Sequence, residues 1–303
     1  MTTLVVSHDA GGAEILSCWI KHQKNKKKII YCLKGPAINI FKKNIGTFVN
    51  IHEKNIKKLK LKKILTSTSW NSDLEKRIIL YGKEKKIFTC SFLDHWNYYL
   101  ERFTFKKKKV FPDKIIVSDH YAFEIAKKKF TNTPIQLIKN YYKLEVLKKI
   151  KIRKNKVIKK ILYVTEPISE LAIKKYNNPM YWGYDEFSSL NFFFDFIYIF
   201  GNKPIIVIFR NHPSEKVSKY KNLLKKYNKK HKIIFSKNIN LYDDINVADA
   251  VVGVQSMAMI MSLYAGKKVF STLPKNFTKS LPYKKIVYFN KWKSNNNFFI
   301  ETT

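Results

Sequence analysis

From Leu4 to Ser271 the chain alternates short apolar runs with longer amphipathic segments. That order leaves few architectures open, because a strand, a crossover helix and a further strand in one sheet must lie parallel. In the first half the spacing predicts strands over Leu4 to Ser7, Ile29 to Leu33, Phe48 to Ile51, Lys63 to Thr66, Ile87 to Cys90, Lys114 to Val117 and Ile135 to Ile138. Helices fall between them, for example Ala13 to His22, Ala37 to Asn44, Leu74 to Tyr81 and Ala122 to Phe130. The pattern breaks after Lys139 into a lysine-rich stretch and restarts at Lys160. There the predicted order is strand Lys160 to Thr165, helix Phe187 to Phe200, strand Pro204 to Arg210, helix Ser214 to Asn228 and strand Lys232 to Phe235. Helix Leu241 to Asn246, strand Ala250 to Val254, helix Met257 to Tyr264 and strand Lys268 to Ser271 follow. The expectation is an α/β chain of two doubly wound, Rossmann-like domains, residues 1–140 and 160–303, with a linker over 141–159.

A length of 303 residues suffices for two hydrophobic cores without covalent staples. The three cysteines, Cys18, Cys32 and Cys90, sit in apolar runs without metal-ligand spacing and read as small core residues of a reducing compartment. The N-terminus has no basic segment before its strand and does not read as a signal peptide. The most apolar stretch, Leu190 to Phe200, contains Asp195 and is shorter than the ~20 residues of a membrane-spanning helix. The expected location is cytoplasmic.

The formal charge of +37 admits a nucleic-acid reading, since basic surfaces attract polyphosphate. The lysines, however, are spread over almost every helix and loop together with many Asn, Ile, Phe and Tyr, as an AT-rich coding sequence produces. An anionic membrane is the better partner for such a surface, with the linker and the Lys106 to Lys109 loop as the expected contacts on the inner face.

Ligands of doubly wound sheets bind outside the carboxyl ends of the strands, so residues just after strands, facing an interdomain cleft, are the candidates for chemistry. After the first strand come His8, Asp9, Gly11 and Gly12; paired glycines permit close backbone approach, the helix start favours an anion, and Asp9 or His8 is a candidate base. Asp9 as a mere helix cap is the competing reading. Asp94 and His95 follow a later strand beside Trp96, Tyr98 and Tyr99, a set that can hydrogen-bond and stack a sugar. In the second half, Arg210, His212, Pro213 and Ser214 are expected at a helix start, in outline a phosphate site. Gln255 and Ser256 open the next helix, with Ser256 as N-cap or phosphate ligand. Glu166, after the strand at Lys160, either reaches a base or ribose or lies in a turn. The seven histidines are scattered and no Asp-x-Asp stands in a loop, so no metal and no resident cofactor is expected.

On these residues the chain resembles two-domain GT-B glycosyltransferases of bacterial cell-surface polysaccharide and lipopolysaccharide synthesis. His212-Pro213 is similar to the His-Pro motif with which bacterial sialyltransferases, Kdo transferases and teichoic-acid polymerases hold the phosphate of a cytidine nucleotide donor. The resemblance implies a second domain that binds a nucleotide sugar, possible without a metal, and a first domain that meets a glycan or lipid-linked acceptor and supplies the base. A nucleotide-sugar 2-epimerase or hydrolase of the same fold is the alternative, and a basic nucleic-acid-binding protein the second.

Overall fold

A computed structural model of the chain describes residues 2–24, 28–152, 157–201, 203–216, 218–274, 277 and 279–289. Residues 153–156 of the expected linker and 290–303 of the expected second domain lie outside these. The chain divides into two compact units, 1–145 and 146–303. Among the described residues no helix is long and apolar enough to cross a membrane.

The first unit is built on strands β1 (Thr2–Ser7), β2 (Ile29–Leu33), β3 (Leu61–Thr66) and β4 (Phe88–Phe92). A short antiparallel hairpin, β5 (Thr104–Phe105) and β6 (Lys108–Lys109), precedes β7 (Lys114–Val117) and β8 (Ile135–Leu137). The six long-range strands run parallel in the order β2-β1-β3-β4-β7-β8. Helices α1 (Ala10–Lys21), α2 (Ala37–Ile45), α3 (Leu74–Glu84), α4 (His120–Lys129) and α5 (Tyr141–Leu147) accompany them. Alternate residues of one strand enter different cores: Val5 packs with Leu16 and Phe41, whereas Leu4 and Val6 pack with Ile64 and Ile78. A sheet covered on both faces needs unbroken apolar runs, which is why these strands lack a polar alternation. Cys18, Cys32 and Cys90 are all buried.

The second unit contains β9 (Lys160–Val164), α6 (Ile168–Tyr176), α7 (Glu186–Asp195), β10 (Ile206–Arg210), α8 (Lys221–Tyr227), β11 (Lys232–Phe235), α9 (Leu241–Val247), β12 (Ala250–Gly253), α10 (Met257–Tyr264), β13 (Lys268–Ser271) and β14 (Ile286–Tyr288). Its parallel order is β11-β10-β9-β12-β13-β14. Counted within the unit this is 3-2-1-4-5-6, the Rossmann order. Aromatic side chains fill the core; Tyr163 stacks on Phe209 with centroids 5.6 Å apart, and Phe193 and Tyr220 join them.

Both sheets reverse their winding at one place, between β1 and β3 in the first and between β9 and β12 in the second. These switch points leave a crevice at the carboxyl ends of the strands, where the flanking loops part in opposite directions.

Several expected elements differ. Phe48 to Ile51 is not a strand: Val49 and Ile51 bond Tyr31 through a single bridge at Asn50. The helix expected over Phe187 to Phe200 is α7 followed by a short 3-10 turn at Ile197–Phe200. Helix α6 and strand β14 were not foreseen. Lys106 and Lys107 form the tip of the β5–β6 hairpin with φ of 47° and 64°, the positive values that a two-residue turn imposes.

Candidate functional site

In the first unit, the β1–α1 turn and the loop after β3 meet at the switch point, and buried Glu75 of α3 ties them together. Its Oε1 accepts from the His8 backbone N–H at 2.8 Å, Ser69 Oγ at 2.6 Å and Ser67 Oγ at 3.1 Å. Burial raises the Glu75 pKa, against the opposing hydrogen bond from Ser69. Asp9 binds the same loop: its Oδ2 accepts from the backbone N–H groups of Trp70 at 2.7 Å and Asn71 at 3.0 Å. The other oxygen, Oδ1, lies 2.7 Å from His8 Nδ1. A carboxylate only accepts, so Nδ1 carries a proton in this pair and Nε2 is the nitrogen on the far side of the ring. Asp9 stands at the N-cap position of α1, but its side chain makes no bond to that helix. The unit thus holds an oriented histidine, His8, rather than a carboxylate awaiting a proton.

The glycines of this turn serve close packing. A β-carbon on Gly11 would come within 2.5 Å of Asp94 Oδ2, and one on Gly12 within 2.6 Å of Ser67 Cβ. The start of α1 thus already faces a carboxylate of the protein. Asp94 forms a buried ion pair with Arg102 at 2.8 Å and accepts from Thr68 Oγ1 at 2.8 Å. The charge of Asp94, a candidate base by sequence, is thus matched inside the fold. For His95, the other candidate beside it, burial, reinforced by Arg102, pushes the pKa down to about 4. At neutral pH it is a weakly basic, neutral ring that accepts the Asn97 N–H. Trp96 donates to Asp119, which caps α4 through Ala122 N–H, and Trp96 and Tyr99 are buried. Tyr98 alone of that run is exposed, against Trp70.

In the second unit, Thr165 and Glu166 at the end of β9 lace together the ends of β10 and β12. Thr165 Oγ1 accepts from the His212 backbone N–H at 2.8 Å. The Glu166 carboxylate accepts from the N–H groups of Gln255 at 2.7 Å and Val254 at 3.2 Å. Burial raises its pKa to about 7 even though those N–H groups favour the charged form. Glu166 therefore occupies the anion position beside the start of α10, its carboxylate engaged by backbone N–H groups of the turn. Ser256 is the N-cap, its Oγ accepting from Ala258 N–H at 3.1 Å, and Gln255 accepts from Ser280 N–H.

Arg210 is also turned inward. Its guanidinium donates to Asn238 O at 2.9 Å, Ser236 Oγ at 3.2 Å, Ile239 O at 3.2 Å and the buried Asp244 carboxylate. It clamps the β11–α9 loop, so its guanidinium is engaged inside the fold rather than standing free for the phosphate expected of it. Pro213 and Ser214 do not open a helix; residues after His212 form turns and α8 begins only at Lys221. The cause lies in Glu215, whose carboxylate is drawn inward by Thr165 Oγ1–H, the Tyr220 phenol Oη–H and the His212 N–H. His212 itself is exposed. Its Nδ1 accepts from Ser214 N–H at 3.2 Å and lies 2.8 Å from Ser214 Oγ. With Nδ1 an acceptor, the proton sits on Nε2, an N–H aimed away from the Ser214 turn.

Beneath this loop lies a network that sequence reading missed. Lys219 pairs with Glu215 at 2.8 Å and with Glu170 and Glu186. Burial works against the Lys219 ammonium, but the three carboxylates raise its pKa. These carboxylates stand close enough together to hold a cation, and the lysine ammonium fills that role. The one local signal was the i,i+4 pair Glu215 and Lys219, which ordinarily marks a solvated helix face. Glu75 gave no signal beyond its place in the first turn of α3.

No protein-family model matches the sequence, and no curated protein matches it. Solved structures do. MurG of Acinetobacter baumannii is 10% identical over 89% of this chain and 78% of MurG, with a TM-score of 0.50. The S. aureus protein MnaA, solved with UDP, is 11% identical over 92% of this chain and 80% of its own, with a TM-score of 0.57. A Listeria monocytogenes protein assigned as a UDP-N-acetylglucosamine 2-epimerase also reaches 0.57, at 9% identity over 91% and 80% of the two chains. The fold is GT-B-like. At such identities the likeness establishes the fold, and the chemistry of a GT-B-like chain must be argued from its own side chains.

Proposed function

We propose that this chain is a glycosyltransferase that takes a sugar from a nucleotide-activated donor. The observation that carries the reading is His212: a neutral imidazole held by Ser214 so that Nε2–H points outward at the carboxyl end of β10. A fixed donor of that kind suits a phosphate oxygen whose charge grows as the glycosidic bond breaks. The His-Pro resemblance favours a cytidine-linked donor, and the second unit is assigned its binding. In the first unit His8 is assigned as general base, its Nε2 lone pair made available by the Asp9 carboxylate on Nδ1. The base takes the proton of an acceptor hydroxyl as that oxygen attacks the anomeric carbon. The acceptor is a surface glycan or its lipid-linked precursor, met at the inner face of an anionic membrane.

Incubation of the protein with cytidine- and uridine-linked sugars, with and without a lipid-linked glycan, tests this. Release of nucleotide that requires the acceptor is expected, with kcat falling ~100-fold or more in His8→Ala. Turnover of the donor alone would make the protein an epimerase or hydrolase, and no turnover under any condition would remove the enzymatic reading.

A further inference from the structure

Helices α6 and α7 both start from one place in the second unit. Ser169 donates to the Glu186 carboxylate through its backbone N–H at 2.8 Å and through Oγ at 2.6 Å. Everything between these two contacts, residues 170–185, is an excursion that leaves that point and returns to it. Its return is fixed: Gly183 has φ of 72°, a β-carbon there would meet Phe277 at 2.8 Å, and Tyr184 packs on the same ring at 5.0 Å.

The tip of the excursion is apolar and aromatic. Tyr176 and Tyr181 stack with centroids 3.6 Å apart, and Trp182 stands edge-on to both. Despite this, Ile173, Met180 and Tyr181 remain 49%, 47% and 51% exposed. Aromatic residues that are rigidified by one another and still face solvent are unusual in a soluble surface. The two carboxylates at the ends of the excursion are engaged, Glu170 by Lys219 and Asp185 as the cap of α7; between them Leu171 to Tyr184 contains Lys174 and Lys175 and no carboxylate, and in the last turn of α6 Lys174 is exposed and Lys175 half-buried.

We infer that this lobe is a membrane anchor, in which Met180, Tyr181 and Ile173 enter the headgroup and upper acyl region of an anionic bilayer while the exposed Lys174 pairs with its phosphates. Tyrosine and tryptophan suit that layer because their rings are apolar and their polar ends stay wet. Lysine adds the electrostatic attraction that apolar insertion alone lacks. A sugar is the poorer occupant: beside Tyr181 stand a thioether and an aliphatic chain, and the Asn178 side-chain carbonyl is engaged by the Met180 N–H at 2.9 Å. The inference rests on the proposed membrane setting and deepens it, yet its test is independent of nucleotide chemistry.

The test is co-sedimentation with phosphatidylcholine vesicles, with and without phosphatidylglycerol, for the wild type, Met180→Ser/Tyr181→Ser and Lys174→Gln. Wild type should sediment with the anionic vesicles only. The Met180→Ser/Tyr181→Ser variant should partition ~tenfold more weakly, and the lysine variant should lose part of the salt dependence. With brominated lipid, tryptophan quenching should occur in the wild type and fall in Trp182→Phe. Unchanged melting temperatures show that these exposed substitutions leave the fold intact. Equal partition of the wild type and Met180→Ser/Tyr181→Ser overturns the inference, as does absence of vesicle binding, with or without saturable binding of an oligosaccharide. Titration of the same variants with cytidine nucleotides separates the two proposals: nucleotide binding without vesicle binding leaves the donor reading standing and removes only the anchor.

Discussion

A β-carbon on Gly12 would lie 2.6 Å from Ser67 Cβ and 2.9 Å from the Thr68 carbonyl, so it would push apart the two loops of the first switch point. Gly12→Ala should therefore cost about 1–3 kcal/mol, read as a lower melting temperature by calorimetry. An unchanged melting temperature would mean that the loops yield without resistance. Glu166 makes a prediction about pH. Its carboxyl has an ordinary value of 4.5 and is raised to about 7 by burial. Between those values the folded chain keeps a proton that the unfolded chain releases, so this group's contribution to stability falls as pH rises through that window. Glu166→Gln removes the titration. The melting temperature of the wild type relative to the variant should decline from about pH 5 to about pH 8, whereas a constant difference would place the carboxyl in a wetter setting than the geometry describes.

At the scale of elements, Arg210 and His212 leave the same strand and have opposite consequences. Arg210 holds the β11–α9 loop against Asp244, which is 1% exposed. Removing the guanidinium strands a buried carboxylate, and Arg210→Ala should destabilise the second unit by about 3–5 kcal/mol in chemical denaturation. His212→Ala should change stability by less than about 0.5 kcal/mol. Equal costs for the two would contradict the division of roles. The sequence could not separate them, because a lone Arg and a lone His after a strand read alike until the side chains find partners 26 to 34 residues away. The parallel strands were legible for a simpler reason: a sheet covered on both faces writes itself as continuous apolar runs. The start of α8 was misread because Pro213 and Ser214 are good local opening signals, and the inward pull on Glu215 overrides them. Asp94 and His95 were likewise read from position after a strand, while Arg102, which neutralises one and disfavours protonation of the other, lies further along the chain. The His8 and Asp9 pair was visible as two adjacent candidates, but their division of labour depends on Trp70 and Asn71, which nothing in the turn itself announces.

For the whole molecule, two sheets that each reverse at one point define where ligands belong, and the Rossmann order of the second sheet makes it the donor-binding unit of the proposal. The charge of +37 complicates any binding experiment, because polyphosphates associate with such a surface without using a site. A true site must show saturation, must survive moderate salt and must depend on one exposed imidazole. Calorimetric titration of the wild type and His212→Ala with cytidine and uridine nucleotides, at about 0.15 M salt where surface attraction is screened beyond about 8 Å, tests the central claim most directly. The account predicts saturable one-to-one binding of at least one of these nucleotides and an affinity lower by about tenfold or more in His212→Ala. Binding that is equal in the two proteins, or that vanishes for both as salt is raised, would contradict it.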